Sequence, residues 1–515
     1  MINLAGMAMG FADRDPGSPA LIEPKLGLSR TFGDLGRRTE LLATALHGLY
    51  DLGPGKRVAA LSRNTLEMVE LYLAAARTGA LLFPLNWRFS PSQVVEALRD
   101  ATPTVVFYEA EFRPIVDQIR SQVEVEAWIE WSTGNDSDYE DLLARVASKP
   151  ADLGVGLPDP LTLAHEPYLA VSTGGTTGIP KSAMHSQYTY GAATLDYLAA
   201  ARIAETDTYL MLGQFFHVIG YMSLAYLLQG RPVVIANFDA DPMLEVIREE
   251  KVSGFMAIAT MLPRLIESLK QDGRPCPSVR LVEYGGAPMG EDVIREAGEL
   301  FEADLLQAWG MSEFGPGTYL GPEAHRRALR GERPELLRSC GQAALLSTVA
   351  VLDEDGKPVP RDGQTMGEIC HRGPNNMLSY WNKPEETAEL VRDGWIHTGD
   401  GGAWDEEGFF FIVDRIKSMI ISGGENIFPS EIERALGNHP DIAEVAVVGV
   451  PDATWGELVK AVVVRAKGAE LTEEQVTQYV GDHLASYKKP RIVQFVDELP
   501  MTPTGKVNRK VLREG

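Results

Sequence analysis

RVAALSRNTLEMVELYLAAARTGALLFPLNW, residues 57–87, decides the fold class. RVAALS is a short apolar run of the kind a strand buried on both faces requires, and LLFPLNW is a second one. Between them TLEMVELYLAAARTGA repeats apolar residues at intervals of three and four, the helical period. A strand, a helix and a strand in succession predict a parallel pair joined by a helical crossover. Working outward, PTVVFYEAEF (103–112) supplies a further strand, and a second round runs through RPVVIANF, PMLEVIREEKV, GFMAIAT, MLPRLIESLK, VRLVEYGG and EDVIREAGELF, between residues 231 and 301. Two rounds predict an α/β protein with two parallel-sheet subdomains.

From about residue 341 to 412 the texture changes to short strands and turns. DEDGK (353–357) and PRDGQ (360–364) are hairpin signals, and a small β-barrel is expected there. After Arg415, the helix PSEIERALGNH, the alternating strands IAEVAVVGV and LVKAVVVRA and the helix EEQVTQYVGDHLA describe a small α+β unit. The expected division is therefore a large domain over 1–414 and a C-terminal domain over 415–515.

The chain has 515 residues, 44% hydrophobic and 23% charged, with a formal net charge of -24. That composition is ordinary for a globular protein. The negative charge repels phosphate backbones and anionic lipid, so neither nucleic acid nor an acidic membrane surface is expected as a partner. Any anionic ligand must be held by local amides, a metal ion or a few placed cations. The three cysteines, Cys276, Cys340 and Cys370, have no CxxC spacing, which fits a reducing cytoplasm and no disulfide framework. MINLAGMAMGFADRD lacks the basic n-region of a secretory signal. TYLMLGQFFHVIGYMSLAYLLQG (208–230) is uncharged and long enough to cross a bilayer, but Gln214, His217 and its glycines favour a buried strand and helix over a membrane span.

VSTGGTTGIPKSAMHS (171–186) raises the question of phosphate. It is not a Walker loop, because Ile179 and Pro180 separate Gly178 from Lys181. Gly174, Gly175 and Gly178 still allow the backbone to approach a ligand closely, Ser172, Thr173, Thr176 and Thr177 offer hydroxyls, and Lys181 adds charge. Taken alone the loop reads equally well as a flexible glycine-rich turn.

Further motifs follow in one order: YGGAPMG (284–290), QAWGMSE (307–313), HTGD (397–400), DRIKSMIISGGENIFPSEIE (414–433) and PTGKVNRK (503–510). With the glycine-rich loop, this set resembles the signatures of the adenylate-forming superfamily, which includes acyl- and aryl-CoA synthetases, peptide-synthetase adenylation domains and luciferases. The resemblance runs from Thr173 to Lys510. It implies a C-terminal domain that is mobile, and an enzyme that joins a carboxylic acid to ATP as an acyl-AMP with loss of pyrophosphate. Bringing a carboxylate to the α-phosphate sets an anion against a polyanion, a repulsion of about 4 kcal/mol for two unit charges 4 Å apart at an effective dielectric of 20. Charge neutralisation must therefore dominate the catalysis.

By resemblance, the 173–181 loop grips the β- and γ-phosphates. Glu313 holds Mg2+, with Thr176 as a second, weaker candidate. Lys506 is the adenylation lysine, while Arg509 and Lys510 are expected to be surface residues. Asp400 and Arg415 take the ribose, or form a structural ion pair with each other. Gly286, Ala287 and Pro288 flank adenine, Trp309 stacks on it, and Gln307, Gly310, Met311 and Ser312 complete that shell.

Phe215, Phe216, His217, Val218, Ile219, Tyr221, Gly285 and Phe314 are the expected acid pocket, with His217 either at the carboxylate entry or in the core; their apolar character suits a fatty acyl, alicyclic or aryl acid. Gly423 and Gly424 resemble the glycines that let the pantetheine of coenzyme A pass, and Trp455, Tyr487 and Lys489 are candidates for its nucleotide end or for ordinary packing. The small domain must turn between the two steps, and the resemblance puts the hinge at Lys417. The expected function is an ATP- and Mg2+-dependent acid:CoA ligase, with a carrier-protein-loading enzyme or a silent nucleotide-binding regulator as alternatives. A homodimer is compatible with the sequence.

Overall fold

The computed structural model describes residues 3–132, 137–148, 156–173, 181–217, 219–423, 425–452, 454–501 and 507–514. The chain divides into two compact units, and the division does not follow a single cut in the sequence. One unit comprises Met1–Thr173, Ile179–Val349 and His371–Ile396; the other contains Ala350–Cys370 and His397–Gly515.

Two sheets build the first unit. The stretch that predicted a crossover provides one: strands Arg57–Leu61 and Leu81–Leu85 pair in parallel, from Arg57 opposite Leu81 to Leu61 opposite Leu85, around helix Leu66–Thr78. Val105–Glu109 and Ala127–Trp131 extend this sheet in parallel on one side. On the other side it continues through Pro167–Ser172, Ser182–Ser186 and Ser379–Tyr380, and the last two junctions are antiparallel. The second sheet has nine strands among the described residues. Its centre is parallel, in the spatial order Asp304–Met311, Leu281–Gly285, Gly254–Met256, Tyr209–Met211 and Val233–Ile235. Its edges were not anticipated. At one edge Pro19–Glu23 adds in parallel, Leu21 opposite Val233, and pairs with Leu28–Thr31; at the other, Gly315–Leu320 turns back antiparallel on Asp304–Met311.

Helix Leu66–Thr78 is buried on nearly every face, which explains why its polar positions are few. The polar ones are internally paired: Glu70 receives Arg38 at 2.7 Å and the Tyr139 hydroxyl at 2.6 Å. The uncharged stretch 208–230 forms strand Tyr209–Met211 and helix Gly220–Leu228, as its glycines indicated. Among the described residues no helix is long and apolar enough to cross a membrane.

The second unit carries part of the short-strand region, Ala350–Cys370 and the residues from His397 on, and the α+β piece. Trp395–Trp404 pairs with Phe410–Arg415, in the register Asp400 opposite Arg415. DEDGK makes a tight turn, with Gly356 N–H donating to Asp353 O at 3.0 Å. Downstream, strands Ile442–Asp452 and Gly456–Arg465 form a long antiparallel pair, and Ile420–Ser422 and Ile492–Phe495 both pair with the second of them. Helices Pro429–Gly437 and Glu473–His483 supply Ile432, Leu436, Val476 and Val480 to a core shared with Val447, Val459 and Val463.

Candidate active site

In the first unit the site grows from the carboxyl ends of parallel strands, where open α/β sheets place ligands. Strands Tyr209–Met211, Leu281–Gly285 and Asp304–Met311 run the same way. The segments that follow them, Phe215–His217, Gly286–Pro288 and Ser312–Phe314, therefore leave the sheet at one edge. Gly285 ends its strand with the space for a Cβ taken by Ala308 O at 2.3 Å, and Gly286 turns at φ +75°. Gly286, Ala287 and Pro288 are exposed there.

The turn that carries Glu313 is built by exclusion. A Cβ on Gly310 would lie 1.7 Å from Gly315 O, so the two strands of the hairpin meet without room for any side chain at that position. Asn375, fully buried, donates through Nδ2 to Phe314 O and Pro316 O, both at 2.9 Å. Phe314 stacks on His371 with ring centroids 4.0 Å apart and planes 6° apart. His185 completes the support. Burial pushes its imidazole down to about 4, so the ring is neutral at pH 7, and its Nε2 lies 2.7 Å from Ser312 O, which can only accept. The proton therefore sits on Nε2.

Glu313 itself is 5% exposed and accepts the Tyr380 hydroxyl on Oε1 at 2.5 Å. Lys181 Nζ stands 4.8 Å over the Tyr380 ring. The hairpin that presents Lys181 is closed at its neck by Thr173 N–H donating to Lys181 O at 2.7 Å. Lys181, Tyr380 and Glu313, on three separate segments, are thus one cluster. Gly174, Gly175, Thr176, Thr177 and Gly178 lie outside the described residues. Among the described residues the oxygen donors assembled here are the Glu313 carboxylate and the Tyr380 hydroxyl, hard ligands that fit Mg2+.

The remaining nucleotide and acid candidates divide by burial. Trp309 is packed against Phe314, with centroids 5.7 Å apart, and is 9% exposed. Gln307, Trp309 and Met311 share one face of their strand, and Gln307 and Met311 are half-buried. Phe215 packs on Tyr72, 5.5 Å between rings, and Tyr221 meets Tyr190 and Tyr197 edge-on, so both serve the core. Phe216 is buried beside His217, which is exposed and not in the core. Val218 lies outside the described residues.

In the second unit, Asp400 is 6% exposed and binds Arg415 Nε through Oδ1 at 2.7 Å. The structural ion pair weighed from the sequence exists. It is also oriented: Arg415 donates to Thr398 O at 2.7 Å, and Thr398 Oγ1 donates to Ile369 O at 2.5 Å while accepting from Asp400 N–H at 3.0 Å. Ile416–Ser418, the turn containing Lys417, follows Arg415 directly. Gly423, at φ +62°, lies under Trp455, whose ring a Cβ would meet at 2.7 Å; Trp455 is covered in turn by Arg491 at 4.2 Å. Tyr487 is exposed, and Lys489 lays its methylenes over Gly481. Gly424 and Lys506 lie outside the described residues.

Arg509 corrects the sequence reading. It is no surface ornament, because it binds Glu433 Oε1 at 2.7 Å and Val447 O at 2.6 Å and so anchors the terminal helix. Sequence reasoning also missed Tyr380, His371, Asn375 and His185. His185 falls at the end of the quoted 171–186 stretch without a role assigned to it, the other three sit in no motif, and three-dimensional proximity to residues 312–314 reveals all four.

Comparison with known proteins matches the AMP-binding enzyme family over residues 10–381 and the AMP-binding enzyme C-terminal domain over residues 431–506. The chain belongs to the AMP-binding enzyme family. It is 36% identical over 511 residues to the indoleacetate–CoA ligase of Aromatoleum aromaticum, covering 98% of this chain and 96% of that one. It is 33% identical over 525 residues to a long-chain-fatty-acid–CoA ligase of Mycobacterium tuberculosis, covering 100% and 98%. Among solved structures, ATP-bound MatB from Rhodopseudomonas palustris aligns with a TM-score of 0.86 at 30% identity, over 100% of this chain and 99% of that one. This AMP-binding enzyme is accordingly an adenylate-forming protein of the acyl- and aryl-CoA ligase family.

Proposed function

We propose that this AMP-binding enzyme joins a hydrophobic carboxylic acid, fatty acyl, alicyclic or aryl, to coenzyme A through an acyl-AMP. The observation that carries the reading is the cluster of Lys181, Tyr380 and Glu313. In this reading a substrate carboxylate oxygen attacks the α-phosphorus of ATP and the bond to pyrophosphate breaks. Lys181 and the loop from Thr173 hold the β- and γ-phosphates, and Lys506 brings its ammonium to the α-phosphate and the attacking carboxylate. Glu313, with Thr176, would hold Mg2+, whose contribution is to neutralise phosphate charge. Asp400 accepts from the ribose hydroxyls and Arg415 keeps its carboxylate in place.

The thiol of coenzyme A then attacks the acyl carbonyl, and AMP leaves. Gly423, Gly424 and Trp455 are assigned to the pantetheine path, Tyr487 and Lys489 to the nucleotide end, and Lys417 to the hinge between the steps. Phe216 and His217 are assigned to the mouth of the acid pocket, since they lie at the edge where the strands end. The relatives' names support the acid class, one acting on indoleacetate and one on long-chain fatty acids.

The test is a thioester screen with ATP, Mg2+ and coenzyme A over aryl, alicyclic and fatty acids. Acid-dependent CoA thioester with stoichiometric AMP supports the proposal. Acid-dependent ATP–pyrophosphate exchange without thioester points to a carrier protein as acceptor, and no exchange with any acid overturns the adenylation itself.

A further inference from the structure

In the second unit, three side chains of different chemistry meet on one face of two adjacent strands. Glu368 and Cys370 are two residues apart on Gly367–Arg372 and therefore point the same way; His397 comes from Trp395–Trp404 beside it. His397 Nδ1 lies 2.7 Å from Glu368 Oε2 and 3.5 Å from Cys370 Sγ. One ligand atom from each residue falls within 4.8 Å of the other two. Cys370 is fully buried, whereas the Glu368 and His397 side chains are 20% and 15% exposed, so the group has a closed thiol end and an open rim.

We propose that Glu368, Cys370 and His397 form a binding site for a thiophilic divalent cation of the zinc class, separate from the hard-ligand cluster at Glu313. Zinc takes sulfur at about 2.3 Å and imidazole nitrogen at about 2.0–2.1 Å in tetrahedral array, which sets the sulfur-to-nitrogen edge at about 3.5 Å. The Sγ to Nδ1 separation of 3.5 Å already has that value. The oxygen-to-nitrogen edge of the same tetrahedron is about 3.3 Å, so the Glu368 carboxylate must swing outward by about 0.6 Å from its present 2.7 Å. Its rim position allows this. The thiol gives its proton to solvent on binding, the metal takes the place of whatever proton lies between Nδ1 and the carboxylate, and water fills the fourth position.

The frame is built to hold these ligands. Glu368 Oε1 accepts the Gly399 N–H at 2.9 Å, which anchors one oxygen and leaves Oε2 to turn about it, and Thr398 Oγ1 donates to Ile369 O, which ties the two strands together between the ligands. Mixed sulfur, nitrogen and oxygen ligation disfavours Mg2+ and Ca2+, which select oxygen.

Cobalt(II) tests the site, because a thiolate on cobalt gives an intense near-ultraviolet charge-transfer band that oxygen ligands at Glu313 cannot produce. The full-length protein, stripped with chelator, is expected to develop this band to one equivalent per chain and to lose it when Zn2+, but not excess Mg2+, is added. A Cys370→Ser variant is expected to show no band, while a variant with both Cys276→Ser and Cys340→Ser keeps it. Absence of the band in the parent protein, or its survival in Cys370→Ser, overturns the proposal. Should Cys370→Ser fail to fold, His397→Gln decides: at least a tenfold loss of cobalt affinity supports the site, and unchanged affinity overturns it.

Discussion

Replacing Glu283 by glutamine should stabilise the protein at alkaline pH and do little at acid pH. Glu283 is 2% exposed, on strand Leu281–Gly285 directly before Tyr284 and the YGG turn, and its Oε1 accepts the Tyr197 hydroxyl at 2.6 Å. Burial raises its carboxyl from 4.5 to about 7, against smaller lowering effects of the Tyr197 hydrogen bond and of Arg280. A carboxyl raised in the folded state binds more protons there than when unfolded. Folding stability is therefore fullest below about pH 4.5, falls as pH rises, and reaches its floor above about pH 7. Moving the carboxyl from 4.5 to about 7 corresponds to about 3 kcal/mol. For a unit of several hundred residues, with unfolding entropy near 2.1 cal/mol/K per residue, that is about 4 °C in Tm.

Glutamine keeps an acceptor for Tyr197 and does not titrate. Thermal unfolding of both proteins from pH 5 to pH 8 should show the Tm difference moving in the variant's favour by about 3 °C, the part of the change that falls between those two pH values. Glu23, Glu67 and Asp196, raised to about 8, 7 and 6, titrate in both proteins and cancel in the difference. A Tm difference constant across this range would refute the assignment of an ionisable group to the buried tyrosine cluster.

Tyr380→Phe retains the ring beneath Lys181 but removes the hydroxyl from Glu313, and should lower kcat/KM in ATP–pyrophosphate exchange about tenfold or more, a charge-assisted hydrogen bond being worth about 1.5–3 kcal/mol. Asp400→Asn should raise the KM for ATP about tenfold, through loss of the charged acceptor and of the Arg415 pair, as initial-rate kinetics can check. Lys506→Ala should cripple adenylation yet largely spare thioester formation from supplied acyl-adenylate; equal loss in both half-reactions counts against the division of labour. Gly310→Ala should cost more than about 4 kcal/mol or prevent folding, because backbone at Gly315 has no side chain to rotate away, and urea unfolding would register it.

How much of this was legible in the sequence depended on range. Residues 57–87 announced their crossover because apolar strands and a helical period are local signals. The edges of the sheets were silent: nothing near Leu21 says that Val233 is its partner, and nothing near Tyr380 says that it will add to Ser182–Ser186 and reach Glu313. The sequence reading gives Gly285 to the acid pocket and Gly310 to the adenine shell, and the structure adds a reason from packing, a carbonyl standing where a Cβ would be. Aromatic residues were the least legible. Phe314, Phe215 and Tyr221 could equally have faced a ligand or a core, and the rings packed against them, contributed by distant segments, place them in the interior.

The pairing of Leu21 with Val233 also bears on how the enzyme is made. The strand Pro19–Glu23 leaves the ribosome more than 200 residues before its neighbour does, an interval of roughly 10–40 s at 5–20 residues per second. Helix Leu66–Thr78, apolar on nearly every side, waits alongside it. A nascent chain with that much sticky surface should lean on holding chaperones until residue 235 has emerged, and slowing translation upstream of that point should increase aggregation without altering a single native contact.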